Sequence, residues 1–257
     1  MRRNVWRFFF GVVLGFLLSG CLAPAPRLES LPAPELLLQK IKSLNGHYRS
    51  LQGLAKVKVT TGGKTTSTRQ ALFLRRPDRL RSEVLSPFGT PLLLLASDGE
   101  TLDLFYPGEN RFYRGAASWG NLSQILRLPV SPAVLVPLVL FEPPLLPWRE
   151  ATVERLHDGV RLRLVADDGG EQHFDFDLEL RLQQGDYIDS AGVNLSLNYG
   201  DFSPETGFPQ TMALELPGAS ARLSLSFSEV DLNVALPLER FHLTPPAMGE
   251  VLPFPDP

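Results

Sequence analysis

Few residues in this 257-residue chain are equipped for chemistry, and they do not gather. Cys21 is the only thiol, so it has no partner for an intrachain disulfide and is left as a nucleophile or an attachment point. The four histidines, His47, His157, His173 and His242, are scattered without metal-ligand spacing. A Gly-x-Ser-x-Gly elbow and a phosphate-cradling glycine loop are both missing. Asp175, Asp177 and Glu179 fall on alternate positions of an extended segment, which puts three carboxylates on one face. Such a row could bind a cation or share a proton, but like charges at alternate strand positions also describe an ordinary solvated face. The expectation is no catalytic residue, no metal and no cofactor, hence not an enzyme.

The surroundings of Cys21 decide its chemistry. Arg2, Arg3 and Arg7 precede an uncharged apolar run over residues 8–18, and Ser19 and Gly20 stand directly before the thiol. A basic start, an apolar middle and small residues at the cut make a secretory signal. The run falls short of the ~20 residues needed to span a bilayer. Leu18-Ser19-Gly20-Cys21 resembles the lipobox of bacterial lipoproteins. That resemblance implies cleavage after Gly20, a diacylglyceryl group on the Cys21 thiol and acylation, for instance with palmitate, of the new amine. An ordinary signal peptide with an incidental cysteine is the alternative. Each buried CH₂ contributes ~0.8 kcal/mol, so several acyl chains anchor stably where one does not. The next residue is Leu22 rather than Asp, which by analogy with Gram-negative sorting points to the periplasmic face of the outer membrane. Pro24, Pro26, Pro32 and Pro34, spaced by alanines, read as a stiff tether. The chain then divides into a signal peptide (1–20), an acylated tether (21–34) and one folded domain (35–257).

Composition narrows the partners. The net charge is −3, and loss of the three signal arginines leaves −6. A mildly acidic domain is a poor nucleic-acid binder, and no basic run offers a surface for anionic lipid. Residues 128–148 are very apolar but carry six prolines, each costing ~3 kcal/mol inside a helix, so they do not form a spanning helix.

The elements that must position these residues follow from periodicity. Leu36, Leu37, Leu38, Ile41 and Leu44 make a helical stripe over 35–45, closed by Asn45-Gly46. Six strands are expected over 51–61, 65–76, 79–85, 92–97, 101–106 and 111–115, with Asp98-Gly99 as a hairpin turn. Two short helices follow, capped by Ser118 and by Ser131-Pro132. Strands resume over 151–156, 160–166, 172–176, 180–188, 193–199, 209–216 and 221–230. The expected fold is mainly β: a single unclosed antiparallel β-barrel of about 11–13 strands, with helices covering an apolar cavity.

Four stretches in this order resemble the LolA/LolB family of periplasmic lipoprotein carriers and outer-membrane lipoprotein receptors. Leu74-Arg75-Arg76-Pro77-Asp78 is similar to the carrier's Arg-Pro corner. The run 95–102 with Phe105-Tyr106-Pro107 is similar to its Ser-Asp-Gly hairpin, and Phe241-His242-Leu243-Thr244-Pro245-Pro246 to its C-terminal motif. Ser86-Pro87-Phe88-Gly89-Thr90 is similar to the receptor's protruding turn. The chain thus combines a carrier-like corner with a receptor-like anchor and loop.

The resemblance implies a half-barrel whose cavity holds lipoprotein acyl chains or another lipid. It makes Arg76 a latch for the covering helices and Pro87, Phe88 and Gly89 a membrane or cargo loop. It admits a periplasmic carrier protein as a further partner. Strand alternation assigns Leu72, Leu74, Leu92, Leu94, Leu102, Leu104, Leu195, Leu197, Leu214, Leu223, Leu225 and Phe227 to the concave side, although alternation is uninformative across the four leucines 92–95. The rival expectation is an envelope interaction or sensor module whose cavity is filled by its own side chains.

Overall fold

The computed structural model describes residues 30–247 and 250–255. The signal peptide, Cys21 and the tether up to residue 29 lie outside the described residues. Helix α1 (Pro34–Leu44) starts on proline, where no backbone donor is lost, and buries Leu37, Leu38 and Ile41. Strands β1 (Ser50–Thr61), β2 (Lys64–Arg75), β3 (Arg79–Leu85), β4 (Pro91–Ser97), β5 (Thr101–Tyr106) and β6 (Arg111–Ala116) form an antiparallel meander. Helices α2 (Trp119–Leu126) and α3 (Pro132–Val139) interrupt the strands.

A second meander runs through β7 (Glu150–Leu156), β8 (Gly159–Val165), β9 (Glu171–Asp177), β10 (Leu182–Asp189), β11 (Gly192–Phe202), β12 (Pro209–Leu216) and β13 (Ala221–Leu232). β13 pairs with β1 and fuses the two meanders into one sheet of 14 strands. The pairing slips at Leu54/Ala55, and there Gly53 lies so close to β13 that a Cβ would come within 2.4 Å of the Glu229 carbonyl oxygen. The edges, β7 and the short β14 (Val251–Leu252), do not meet, so the barrel is unclosed as expected. The strand count exceeds the expected range by one. β14 is the added strand, and it joins β6 in parallel, the sheet's one departure from antiparallel order.

The sheet is two-faced. On β13, Leu223, Leu225 and Phe227 are buried on the concave side, between the outward Ser224, Ser226 and Ser228. One continuous apolar core occupies the concave side. The chain after β13 straps the outer face instead. There Asp103, nearly fully buried, accepts hydrogen bonds from Arg114 (2.6 and 2.9 Å) and from the Leu243 amide (3.1 Å). The Arg240 guanidinium stacks 4.5 Å from the Phe73 ring centre. Among the described residues, the fully buried core and every strand pairing lie within residues 34–252, so the chain from residue 22 onward contains them.

Candidate functional site

The concave face carries the continuous apolar core, and two elements of the insert cover it. α2 begins at Ser118, whose hydroxyl accepts the Asn121 amide at 3.2 Å. α3 reads Pro-Ala-Val-Leu-Val-Pro-Leu-Val, with no polar side chain at all. A helix apolar all round belongs inside a core. Leu135, Val136, Leu138 and Val139 are accordingly buried, as are Leu128, Val130, Leu140 and Phe141 around them. Among the described residues, no hydrogen bond joins α3 to the sheet. Pro137, inside the helix, removes one of its internal bonds as well.

The covering leaves little space. A void of about 50 Å³ remains between Leu135 and Val139 of α3, Leu126 of α2 and the sheet residues Val57, Leu72 and Leu223. A second void, of about 20 Å³, lies between α3 and Leu197, Tyr199 and Met212. Small-molecule pockets span ~300–1,000 Å³, so α3 fills the centre of the expected cavity, and a space of that size, about 360 Å³, remains only at its rim, between α1 and the sheet, lined by Leu44, Tyr48, Phe141, Phe176, Leu182 and Phe202 among the described residues. The Tyr199 hydroxyl is buried there with no hydrogen-bond partner among the described residues, and burial pushes its pKa up.

The concave leucines are placed as follows. Leu72, Leu74, Leu102, Leu104, Leu197, Leu214, Leu223, Leu225 and Phe227 are buried in the inner core, and Leu195 packs against it. Leu92 and Leu94 are corrections. Pairing of Ser82 with Leu95 and of Val84 with Leu93 turns the odd-numbered leucines inward. Leu94 then joins Ala96, Phe112 and Leu243 on the outer face, and Leu92 is 54% exposed. A run of four leucines has no alternation to read, and only the neighbouring strand sets its parity.

Arg76 lies at the corner after β2, and its side chain reaches the insert. Its Nη2 donates to Glu142 Oε1 at 3.1 Å, and Nη1 contacts Oε2. The same carboxylate accepts the Gly46 amide at 3.5 Å, just beyond α1. Glu142 therefore ties together the β2 corner, the end of α1 and the segment after α3. Sequence reasoning missed Glu142, because nothing in the proline-rich insert marks one acid among apolar residues.

Pro87, Phe88 and Gly89 form the tip between β3 and β4, and Phe88 is 95% exposed. The tip is held in shape. The Ser86 hydroxyl accepts the amides of Phe88 (3.3 Å) and Thr90 (3.1 Å), and the Ser86 carbonyl accepts the Gly89 amide at 3.0 Å. Gly89 takes φ +81, which suits glycine.

The three alternate carboxylates are all paired. Asp175 receives two bonds from Arg161 (2.6 and 2.7 Å), Asp177 is bonded to Arg181 and Gln183 (2.8 Å each), and Glu179 pairs with Arg181 at 3.1 Å. His173 bonds Glu171 at 2.7 Å, and His242 faces Asp98 at 3.6 Å. Among the described residues, no three His, Cys, Asp or Glu gather as a metal site.

No family model matches the sequence, and no curated protein matches it. Solved structures match the fold. A DUF1329 family protein from Desulfovibrio piger superposes with a TM-score of 0.52 and 14% identity, over 81% of this chain and 95% of its own. A LolA superfamily protein from Nitrosomonas europaea does so with a TM-score of 0.51 and 14% identity, over 82% and 98%. The fold is therefore LolA/LolB-like: an open β-barrel with helices against its concave face.

Proposed function

We propose that this chain is a non-catalytic lipoprotein, anchored by Cys21 to the periplasmic face of the outer membrane, that receives lipoprotein acyl chains and assists their delivery to the membrane. A periplasmic carrier protein would supply the cargo. The observation that carries the reading is α3: a wholly apolar helix in a concave apolar face, without a hydrogen bond to the sheet and secured at one end by the Arg76–Glu142 pair. Such a helix can give way to acyl chains, because one apolar surface replaces another at ~0.8 kcal/mol per buried CH₂. Phe88, rigidly presented to solvent, suits the membrane step.

A second reading draws on the small size of the two voids. If α3 never leaves, the domain is an envelope interaction or sensor module with a filled cavity. A fluorescent apolar dye separates the two. The lipid-carrying reading expects dye bound to the chain from residue 22 onward to be displaced stoichiometrically by a triacylated lipopeptide. Absence of both dye and lipopeptide binding would select the filled module.

A further inference from the structure

The outer face carries an asymmetry of charge that no linear stretch of the sequence displays. On β8–β10 the arginines are neutralised: Arg161 by Asp175, Arg163 by Glu171, and Arg181 by Asp177. On β1 and β2 the opposite holds. Lys56, Lys58, Lys64 and Arg69 are exposed, and among the described residues none of them is in an ion pair. Lys56 and Arg69 stand directly opposite each other across the two strands, an arrangement of like charges that costs stability. Two nearby acids are already engaged, Glu83 with Arg81 (2.7 Å) and Glu215 with Arg222 (3.2 Å), and the exposed Glu229, opposite Leu54 on β1, makes no ion pair with the patch among the described residues. Beside these cations the outer face hollows into a trough of about 780 Å³, lined by Lys56, Lys58, Thr60, Thr65, Ser224 and Ser226.

The patch adjoins the Phe88 tip. Arg69 pairs with Leu85, the last residue of β3 before the loop, and neighbouring strands lie ~4.8 Å apart. Leu92, at the other base of the loop, adds a second exposed apolar side chain. One rigid apolar tip with a flank of unpaired, flexible cations matches a membrane interface, where rings enter the acyl boundary and ammonium groups meet phosphates.

We infer that Lys56, Lys58 and Arg69 form a binding surface for anionic phospholipid headgroups, which docks the Phe88 tip on negatively charged membrane. The inference rests on the membrane role proposed for Phe88, and it adds the lipid class and the residues that select it.

The test is co-sedimentation of the chain from residue 22 onward with phosphatidylcholine vesicles, with and without phosphatidylglycerol. Phosphatidylglycerol should strengthen binding strongly, and added salt should reverse the gain. The triple variant Lys56→Gln, Lys58→Gln, Arg69→Gln should lose roughly a hundredfold of that gain, which is about fivefold per cation at an anionic surface. It should keep the wild-type binding to phosphatidylcholine alone. The charge-preserving variant Lys56→Arg, Lys58→Arg, Arg69→Lys should bind like wild type, which separates charge from folding. Phe88→Glu isolates the underlying reading. If it leaves binding to both vesicles intact while the triple variant loses the gain, the Phe88 reading fails and the headgroup surface stands. If phosphatidylglycerol adds nothing to wild-type binding, or if the triple variant retains the gain, the inference is overturned, and an acidic protein becomes the partner to seek.

Discussion

Phe88 forgoes ~1.5–3 kcal/mol by standing in water, and its turn is hydrogen-bonded so that it cannot fold back. Phe88→Glu should therefore leave stability within about 0.5 kcal/mol of wild type while weakening vesicle association and cargo delivery. A large fall in Tm would show that the ring is buried in solution. The latch makes a second residue-scale prediction. A hydrogen bond to a charged group is worth ~1.5–3 kcal/mol, so Arg76→Leu should raise apolar-dye binding by the empty protein about tenfold or more. Glu142→Leu should do the same, and the double variant should add little to either, because both remove one interaction. Independent, additive effects would break the pairing. A third prediction concerns pH. Hydrogen bonds from Arg163 and His173 hold the Glu171 carboxyl at about 2, below its ordinary 4.5. Its stabilisation is full above about pH 4.5 and is lost as pH falls toward 2. Thermal melts should show Glu171→Gln losing less stability than wild type across that window, and parallel acid limbs would contradict the assignment.

At the scale of elements, α3 is the part expected to move. Among the described residues it has no hydrogen bond to the sheet, and it contains Pro137 and is held by apolar contact; the segment after it is fixed by the Arg76–Glu142 pair and by bonds of Pro144 and Leu146 to Tyr187 and Gln172. Its amides should exchange with solvent through local opening, far faster than those of β1 and β13 at the centre of the sheet. Equal protection would mean that α3 is permanent core. This scale also shows what the sequence could disclose. β3, β5 and β12 have the boundaries that periodicity and turn residues assign, because alternation and Gly/Pro punctuation are local signals. The exposed tip and the reach of Arg76 to the covering segment were legible as well. Three things were not. The parity of β4 depends on which residues of β3 it meets. β14 has two residues and exists only because β6 offers an open edge. The insert reads as a cover, but nothing in its composition says that it fills the concavity rather than arching over it.

Across the whole molecule, one sheet with opposed faces separates two tasks. The concave side holds the apolar core that the proposed function has lipid enter, and the outer side carries the strap, the neutralised charge pairs and the basic patch. No basic run announces that patch in the sequence, since Lys56, Lys58 and Arg69 meet only through the β1–β2 pairing. The central claim is that the concave face accepts acyl chains in place of α3. Native mass spectrometry of the chain from residue 22 onward, mixed with a triacylated lipopeptide, tests it directly. The account predicts a one-to-one complex that collisional activation separates into protein and intact lipopeptide, with Arg76→Leu increasing the bound fraction. Bare protein at every lipopeptide concentration, in wild type and in Arg76→Leu alike, would contradict it.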